Sequence, residues 1–411
     1  MTAKKTNKLK IINDPIYGFI TIPNTLIFDL IEHRYFQRLR RVSQMGMSYM
    51  VYPGAHHTRF QHAIGCIYLM ERAVRVLRFK GVEISEDEEN AVYIAILLHD
   101  IGHGAFSHAL EHSIVTGISH EEISLKFMEA LDVEFGGELS LAIKIFKGEY
   151  HRMFLNQLIS SQLDMDRLDY LKRDSFYTGV SEGNINSDRL IAMLNVKDDV
   201  LLIEEKGIYS VEKFIISRRL MYWQVYLHKT GLVAERILVK TLKRAKELVE
   251  SGVELRASTA LTYFLQHQIT TTNFTDETLE IFSKLDDYDV LSAIKEWTAC
   301  DDRILASLSK MLVDRKLWFV KIQNNPFDII ELKTTKKEVQ DDLQLTDDEM
   351  GYFFIQDTVS NQAYSEVDNQ IQILYKDDSV KNIVEASDHL NIQTLSKPVV
   401  KHFVCYPKSR F

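Results

Sequence analysis

Ile94-Ala95-Ile96-Leu97-Leu98-His99-Asp100-Ile101-Gly102-His103-Gly104-Ala105-Phe106-Ser107-His108 is the stretch that decides the fold. The apolar run from Glu89 to Leu98 has no Gly or Pro and reads as a buried helix. It ends on an adjacent imidazole and carboxylate, although burying unpaired polar groups is costly. A metal ion would account for that ending, because neutral imidazole and ionised carboxylate are both ligands. Gly102 and Gly104 are expected to let the backbone turn sharply and bring His103 and His108 toward the same place. Taken alone, a His-Asp pair at a helix end is a cap or a surface pair. The histidine distribution favours the metal: of the 14 histidines, those at 56, 57, 62, 99, 103, 108, 112 and 120 crowd between residues 56 and 120.

The 411 residues suffice for a sizeable core, and suggest one large domain with a smaller one. Hydrophobic content of 45% and charged content of 26% are ordinary for a soluble globular chain. A net charge of −9 argues against nucleic acid as a partner. A phosphorylated small substrate stays open, since local basic residues and a metal can reverse the local field. Cys66, Cys300 and Cys405 are scattered without CxxC spacing, which points away from a disulfide framework or a thiolate zinc site. No signal-peptide pattern and no apolar run of membrane length are found, so a cytoplasmic location without membrane contact is expected.

Residues 11–22 look extended, with a turn at Asp14-Pro15 and Gly18. Helical periodicity starts near Asn24, and Arg59 to Lys80 reads as a helix stopped by Gly81. Ser119 with Glu122 forms a capping-box pattern that puts His120 and Glu121 in a first helical turn. Residues 151–175 are expected to form one helix with Asp166, Asp169/Tyr170 and Arg173/Asp174 on a shared face by three- and four-residue spacing. A hairpin is expected near 199–211, turning at Lys206-Gly207. Strands are expected at Trp318–Ile322, Gly351–Ile355, Gln370–Tyr375 and Val399–Val404, with a helix at about 327–341. The organisation expected is mainly α: a helical core over residues 1–310, followed by a small α+β lobe over 311–411.

Several motifs recur in a telling order: Asn13-Asp-Pro-Ile-Tyr-Gly18, Phe36-Gln-Arg-Leu-Arg40, Tyr52-Pro-Gly-Ala55, His57-Thr-Arg-Phe-Gln-His62, His99-Asp100 through His108, Ser119-His-Glu121 and Asp166-Arg-Leu-Asp-Tyr170. This ordered set, over roughly residues 10–235, resembles the deoxynucleoside triphosphate (dNTP) triphosphohydrolase branch of the HD-domain phosphohydrolases. The resemblance implies an HD-domain helical core. It implies one divalent metal, Fe, Mn, Mg or Zn, held by His62, His99, Asp100 and Asp166. By the same resemblance, His103, His108, Glu111, His120 and Glu121 surround the scissile phosphate. His108 and Glu111, three residues apart, can meet on one helical face. Gln44, Arg59, Arg167, Tyr170, Asp174, Arg218 and Tyr226 would bind the deoxynucleotide. Asn13, Gln37 and Arg40 match positions that bind regulatory nucleotides in homo-oligomeric relatives, dimers or tetramers; a solvated helix face is the competing reading of Gln37–Arg41. His56, His57 and His112 have no assigned role, and solvated positions are expected for them. The implied reaction is hydrolysis of a dNTP to deoxynucleoside and triphosphate. An HD phosphohydrolase acting on other nucleotides or phosphomonoesters, and a nucleotide sensor without turnover, are the alternatives.

Overall fold

A computed structural model describes residues 10–106, 108–111, 113, 115, 117–367, 369–388 and 395–408. The chain enters through an antiparallel hairpin, Ile11–Asp14 against Gly18–Thr21, with Ile12 opposite Ile20. Asp14 makes the turn by accepting from the Ile16 and Tyr17 N–H groups at 2.9 and 3.0 Å, and Gly18 supplies a φ of +75°. Asn24 then caps the helix Thr25–Glu32.

A capping box formed by Thr58 and Gln61 opens the helix Arg59–Phe79, which is buried on nearly every side. The helices Glu86–Leu98 and Met165–Thr178 pack against it. Close approach to the latter requires Gly65. A Cβ there would lie 2.0 Å from Asp169 Oδ1 and 2.2 Å from Arg173 Nη2. Those two residues form a buried ion pair, and Arg173 Nη1 reaches on to Asp14 Oδ2 at 2.8 Å. The entry hairpin is thereby tied to the central helices.

Two expectations about this half are corrected. Residues 151–175 form two helices, Met153–Gln157 and Met165–Thr178. The break is dictated by Asp164, whose side chain caps the second helix by accepting from the Arg167 N–H. The hairpin expected near 199–211 lies at Leu194–Lys197 and Val200–Glu204 instead. Its turn is Asp198-Asp199, both at positive φ (+51° and +57°), as a tight two-residue hairpin demands. Ile208–Met221 is helical. It passes into a single π-helical turn, Tyr222–Tyr226, before the long helix Lys229–Glu250.

Shorter helices follow, ending with Arg303–Val313, which packs on Lys229–Glu250. In the C-terminal part, Val399–Tyr406 is the centre of a three-stranded antiparallel sheet between Phe319–Gln323 and Ile355–Asn361. The helix expected at 327–341 spans Ile329–Leu343. The strand expected at Gly351–Ile355 begins only at Ile355, because a Thr346/Glu349 capping box starts the helix Asp347–Phe353. Gln372–Leu374 pairs in parallel with Val200–Glu204, with Ile203 opposite Ile373. The last hundred residues are thus hydrogen-bonded to the hairpin of the first half. The fold is mainly α with small sheets, and no described helix is long and apolar enough to cross a membrane.

Candidate metal centre and its surroundings

Ser85 and Glu88 close a capping box at the start of Glu86–Leu98. The far end of that helix delivers His99 and Asp100 to the middle of the molecule. The loop that follows is held from three sides. The Ser124 hydroxyl donates to the His99 carbonyl at 2.8 Å and accepts from the Gly102 N–H at 2.9 Å. Arg38, fully buried, donates to the carbonyls of Ile101, His103 and Leu285 at 2.7, 2.8 and 3.1 Å. Burial pushes its guanidinium down to about 10.

Gly102 does not act through a left-handed turn, contrary to expectation. Neither Gly102 nor Gly104 is at positive φ; Phe106 is, at +51°. What Gly102 provides is close approach. A Cβ there would lie 2.3 Å from the His120 carbonyl oxygen and 2.3 Å from the Ser124 N. Its absence lets the helix His120–Glu134 lie directly on the loop. Asp287 fixes Phe106 by accepting from its N–H at 2.7 Å, and its other oxygen takes the Ser43 N–H at 2.8 Å.

His62, His99, Asp100 and Asp166 converge. Asp166 Oδ1 lies 3.1 Å from His62 Nε2 and 3.5 Å from His99 Nε2. Asp100 lies 3.5 Å from His99 Nε2 and 3.7 Å from His62 Nε2. The rings are oriented from behind. His62 Nδ1 donates to Asp169 Oδ2 at 2.8 Å, and His99 Nδ1 donates to the Ile96 carbonyl at 2.7 Å. In a neutral ring each Nε2 is then a bare lone pair facing carboxylate oxygens. His99 Nε2 is buried and has no hydrogen-bond partner. Acceptors facing acceptors in a buried site fit a cation between them, and two imidazoles with two carboxylates are a suitable donor set for a divalent one.

Without a cation, protons take its place: against its burial the His99 imidazole is raised by Asp100 and Asp166. Against burial again, His62 and His99 in turn hold the Asp166 carboxyl far below the usual carboxylate range. Burial is likewise outweighed at Asp100, by Arg59, His99 and His103. Asp169 is pulled down to about 2 against its burial, by Arg173 and His62. Cys66, one helical turn from His62, has its sulfur 3.6 Å from both ring nitrogens. Burial pushes its thiol up, and its sulfur falls with His62, His99 and Asp166 in one group whose ligand atoms lie within 4.8 Å of one another.

A second group sits beside the first. Asp100, His103 and His120 bring ligand atoms within 4.8 Å of one another. The His103 and His120 rings stack at 3.8 Å. Burial, with Arg59 adding to it, pushes His103 down to about 3, so it is a neutral imidazole at pH 7. Arg59 is ion-paired with Asp100. Glu121 is exposed and makes no hydrogen bond or ion pair with another described residue, as a charged first helical turn would. His108 and Glu111 fall on the short helix His108–Glu111, but their side chains lie outside the described part of the structure, as does His112.

Of the residues expected to bind substrate, Tyr170 and Tyr226 meet edge to face at 6.1 Å, and Tyr170 lies 6.5 Å from the His62 ring. Tyr226 donates to Asp174 Oδ2 at 2.8 Å. Asp174 Oδ1 takes His57 Nε2 at 2.6 Å. His57 is therefore not a solvated loop residue. It is buried and stacked on Tyr177 at 4.4 Å. Gln44 follows in the same cluster, its N–H bonded to the His57 carbonyl and its Oε1 buried without a partner. Arg167 and Arg218 line one cleft. Asn13 lies in the entry hairpin. Gln37 and Arg40 bond each other at 2.8 Å, and Gln37 also donates to the Ile31 carbonyl.

Sequence reasoning assigned no role to Asp169, Arg38, Asp287 or His57. Asp169, Arg38 and His57 all stand inside the recurring motifs, and that membership is the one signal the sequence carries for them.

Comparison with known proteins agrees with this geometry. Residues 59–174 match the HD domain, and residues 185–272 match the HD-associated region. The crystal structure of a phosphohydrolase from Bacteroides thetaiotaomicron superposes with a TM-score of 0.93 at 53% identity, covering 97% of this chain and 100% of that one. The uncharacterized protein YwfO of Bacillus subtilis is 35% identical over 331 residues, 78% of this chain and 74% of that protein. The dNTP triphosphohydrolase SAMHD1 homolog of Dictyostelium discoideum is 31% identical over 265 residues, 60% of this chain and 51% of that protein. The chain therefore spans about half the length of that relative. The chain belongs to the HD-domain phosphohydrolase family. HD domains bind a divalent metal, and this chain carries a His/Asp cluster that could hold one.

Proposed function

We propose that this chain hydrolyses a deoxynucleoside triphosphate to deoxynucleoside and triphosphate, using one divalent metal held by His62, His99, Asp100 and Asp166. The observation that carries the proposal is the buried His99 Nε2, without a partner and 3.5 Å from both Asp100 and Asp166. A bound ion would supply Lewis-acid activation of a phosphoryl group and of water. Similarity to a relative named a dNTP triphosphohydrolase supports the choice of substrate.

The chain's own residues divide the remaining work. Asp169 and the Ile96 carbonyl keep the two imidazoles turned toward the site. Arg59 brings a positive charge to its edge, beside Asp100, where phosphate oxygens would lie. Arg167 and Arg218 offer a second cationic surface for the polyphosphate. Tyr170 and Tyr226 present a flat wall suited to sugar or base, with Gln44 and Asp174 as polar contacts. His108, three residues before Glu111 on the same short helix, is the proposed proton donor to the leaving 5′-oxygen. His103 and His120 stand beside the reacting phosphorus, His103 as a neutral group. A regulatory nucleotide at Asn13, Gln37 and Arg40, stabilising a homo-oligomer, is part of the proposal. A guanine nucleotide is then expected to shift the sedimentation profile.

The test is a product assay with all four dNTPs and Mg, Mn or Fe. Release of intact triphosphate supports the proposal. Release of orthophosphate alone, from dNTPs or from nucleoside monophosphates, would assign the site to another phosphoester. No turnover with any metal would leave a nucleotide sensor.

A further inference from the structure

Arg167 and Arg218 reach one cleft of about 230 Å³, whose other walls include Ser161, Gln162, Gln362 and Ser365. Among the described residues the lining is polar and contains no carboxylate. Arg167 is paired with Asp164, which neutralises part of its charge. Arg218 has no carboxylate partner among the described residues; Nη1 donates to the Ala363 carbonyl at 3.3 Å. The Nε atoms of both arginines are buried without a hydrogen-bond partner. Each guanidinium keeps an Nε–H without a partner, and a cleft lined by two of them, only one ion-paired among the described residues, suits an anion with several oxygens.

The far wall of this cleft comes from a part of the chain about two hundred residues away in sequence. Gln162 reads the backbone of that segment with both ends of its amide. Its Nε2 donates to the Ser365 carbonyl at 2.7 Å and to the Asn369 carbonyl at 3.2 Å, while its Oε1 accepts from the Ser365 N–H at 2.7 Å. Ala363 and Tyr364 beside it are fully buried. The parallel pairing of Gln372–Leu374 with Val200–Glu204 holds the same segment from its other end. Arg167 and Arg218 both act electrostatically on Tyr170, whose ring lies 6.5 Å from that of His62, so the cleft lies close to the candidate metal centre.

We infer that the C-terminal segment around Gln362 and Ser365, clasped by Gln162, forms the outer wall of a polyphosphate pocket floored by Arg167 and Arg218. Gln162 is a positioning residue here, and Gln362 and Ser365 set how long an anion the pocket accepts. That the anion is the tail of a nucleotide rests on the function proposed above; that the pocket takes inorganic polyphosphate does not.

The experiment is calorimetric titration of the purified protein, at matched metal content, with inorganic triphosphate and with orthophosphate. The native chain is expected to bind triphosphate more tightly than orthophosphate. Arg218→Met should weaken triphosphate binding by about tenfold, as loss of one charge-assisted contact does. Gln162→Leu should weaken triphosphate by a similar factor, leave orthophosphate binding unchanged, and raise KM for a turned-over nucleotide more than it lowers kcat. Gln362→Ala, which spares the Gln162 clasp and removes only the Gln362 Nε2 donor to the Ser396 carbonyl at 2.7 Å, should reduce the preference for triphosphate in the same direction. Unchanged triphosphate affinity in Gln162→Leu and Gln362→Ala would overturn the C-terminal wall, even if Arg218→Met loses binding. The expected pattern in a protein that turns over no dNTP would uphold the pocket and reject the nucleotide reading alone.

Discussion

His99 donates through Nδ1 to the Ile96 carbonyl at 2.7 Å, and this bond fixes the ring so that a buried Nε2 faces Asp100 and Asp166. A helix-terminal histidine usually ends in water. Here the backbone of its own last turn aims it inward, at a place where a bound cation would satisfy the ring nitrogen and both carboxylates.

Metal binding is therefore expected to depend on Asp166, which approaches both imidazoles. Asp166→Ala should lose the metal and all turnover while remaining folded. Elemental analysis of the purified variant checks this, and metal at the native stoichiometry would refute the ligand assignment.

Gly102 is expected to tolerate no side chain. The Cβ in Gly102→Ala would press on the backbone of His120 and Ser124, which cannot give way as a flexible side chain would. A loss of about 2–3 kcal/mol in unfolding free energy is expected, as for overpacking a rigid contact. Chemical denaturation measures it. An unchanged midpoint would show that the His120–Glu134 helix is not seated on the loop as described.

Glu88 gives an acid dependence with a definite sign. Burial would raise its carboxyl, but the Ser85 N–H at 2.9 Å, Arg152 at 3.0 Å and Tyr150 at 3.1 Å outweigh that and hold it below the ordinary glutamate value. A depressed carboxylate contributes its stability above the unfolded value, about 4.3, and loses it as pH falls through the folded value. Glu88→Gln should cost about 1 kcal/mol at pH 7 and little at the acid end, where the native residue is itself protonated. Melting curves of both proteins between pH 3 and pH 7 (on the order of the titration range) would show the gap closing as pH falls; a constant gap would contradict the assignment.

His108 carries the proposed acid step. His108→Ala should cut turnover by about a hundredfold or more while leaving the metal bound. Turnover near the native rate in a metal-replete variant would reject that role.

What was legible in the sequence was local. Capping boxes at Ser119 and the turn at Asp14-Pro15 depend on residues a few positions apart, and both stand where the pattern puts them. The break after Gln157 was missed because Asp164 caps a helix that periodicity alone runs straight through. The hairpin was misplaced because Lys206-Gly207 looks more turn-like than Asp198-Asp199, although both aspartates take the left-handed conformation. His57 was unreadable for a different reason: its partner Asp174 is 117 residues away, and nothing near His57 announces burial. The same holds for Arg38, which grips carbonyls at 101, 103 and 285. Carbonyl partners leave no trace in residue identity.

The phosphorus that water attacks decides which reaction the site performs. Arg59 near the metal centre, and Arg167 with Arg218 beyond it, would hold the polyphosphate so that the α-phosphorus is in line with the nucleophile. Attack there expels the 5′-oxygen and leaves the tail whole. In water enriched in heavy oxygen, label is expected on released triphosphate and none on the deoxynucleoside hydroxyl. Labelled orthophosphate with a nucleoside diphosphate as the first product would place attack at the γ-phosphorus and contradict the proposed reaction.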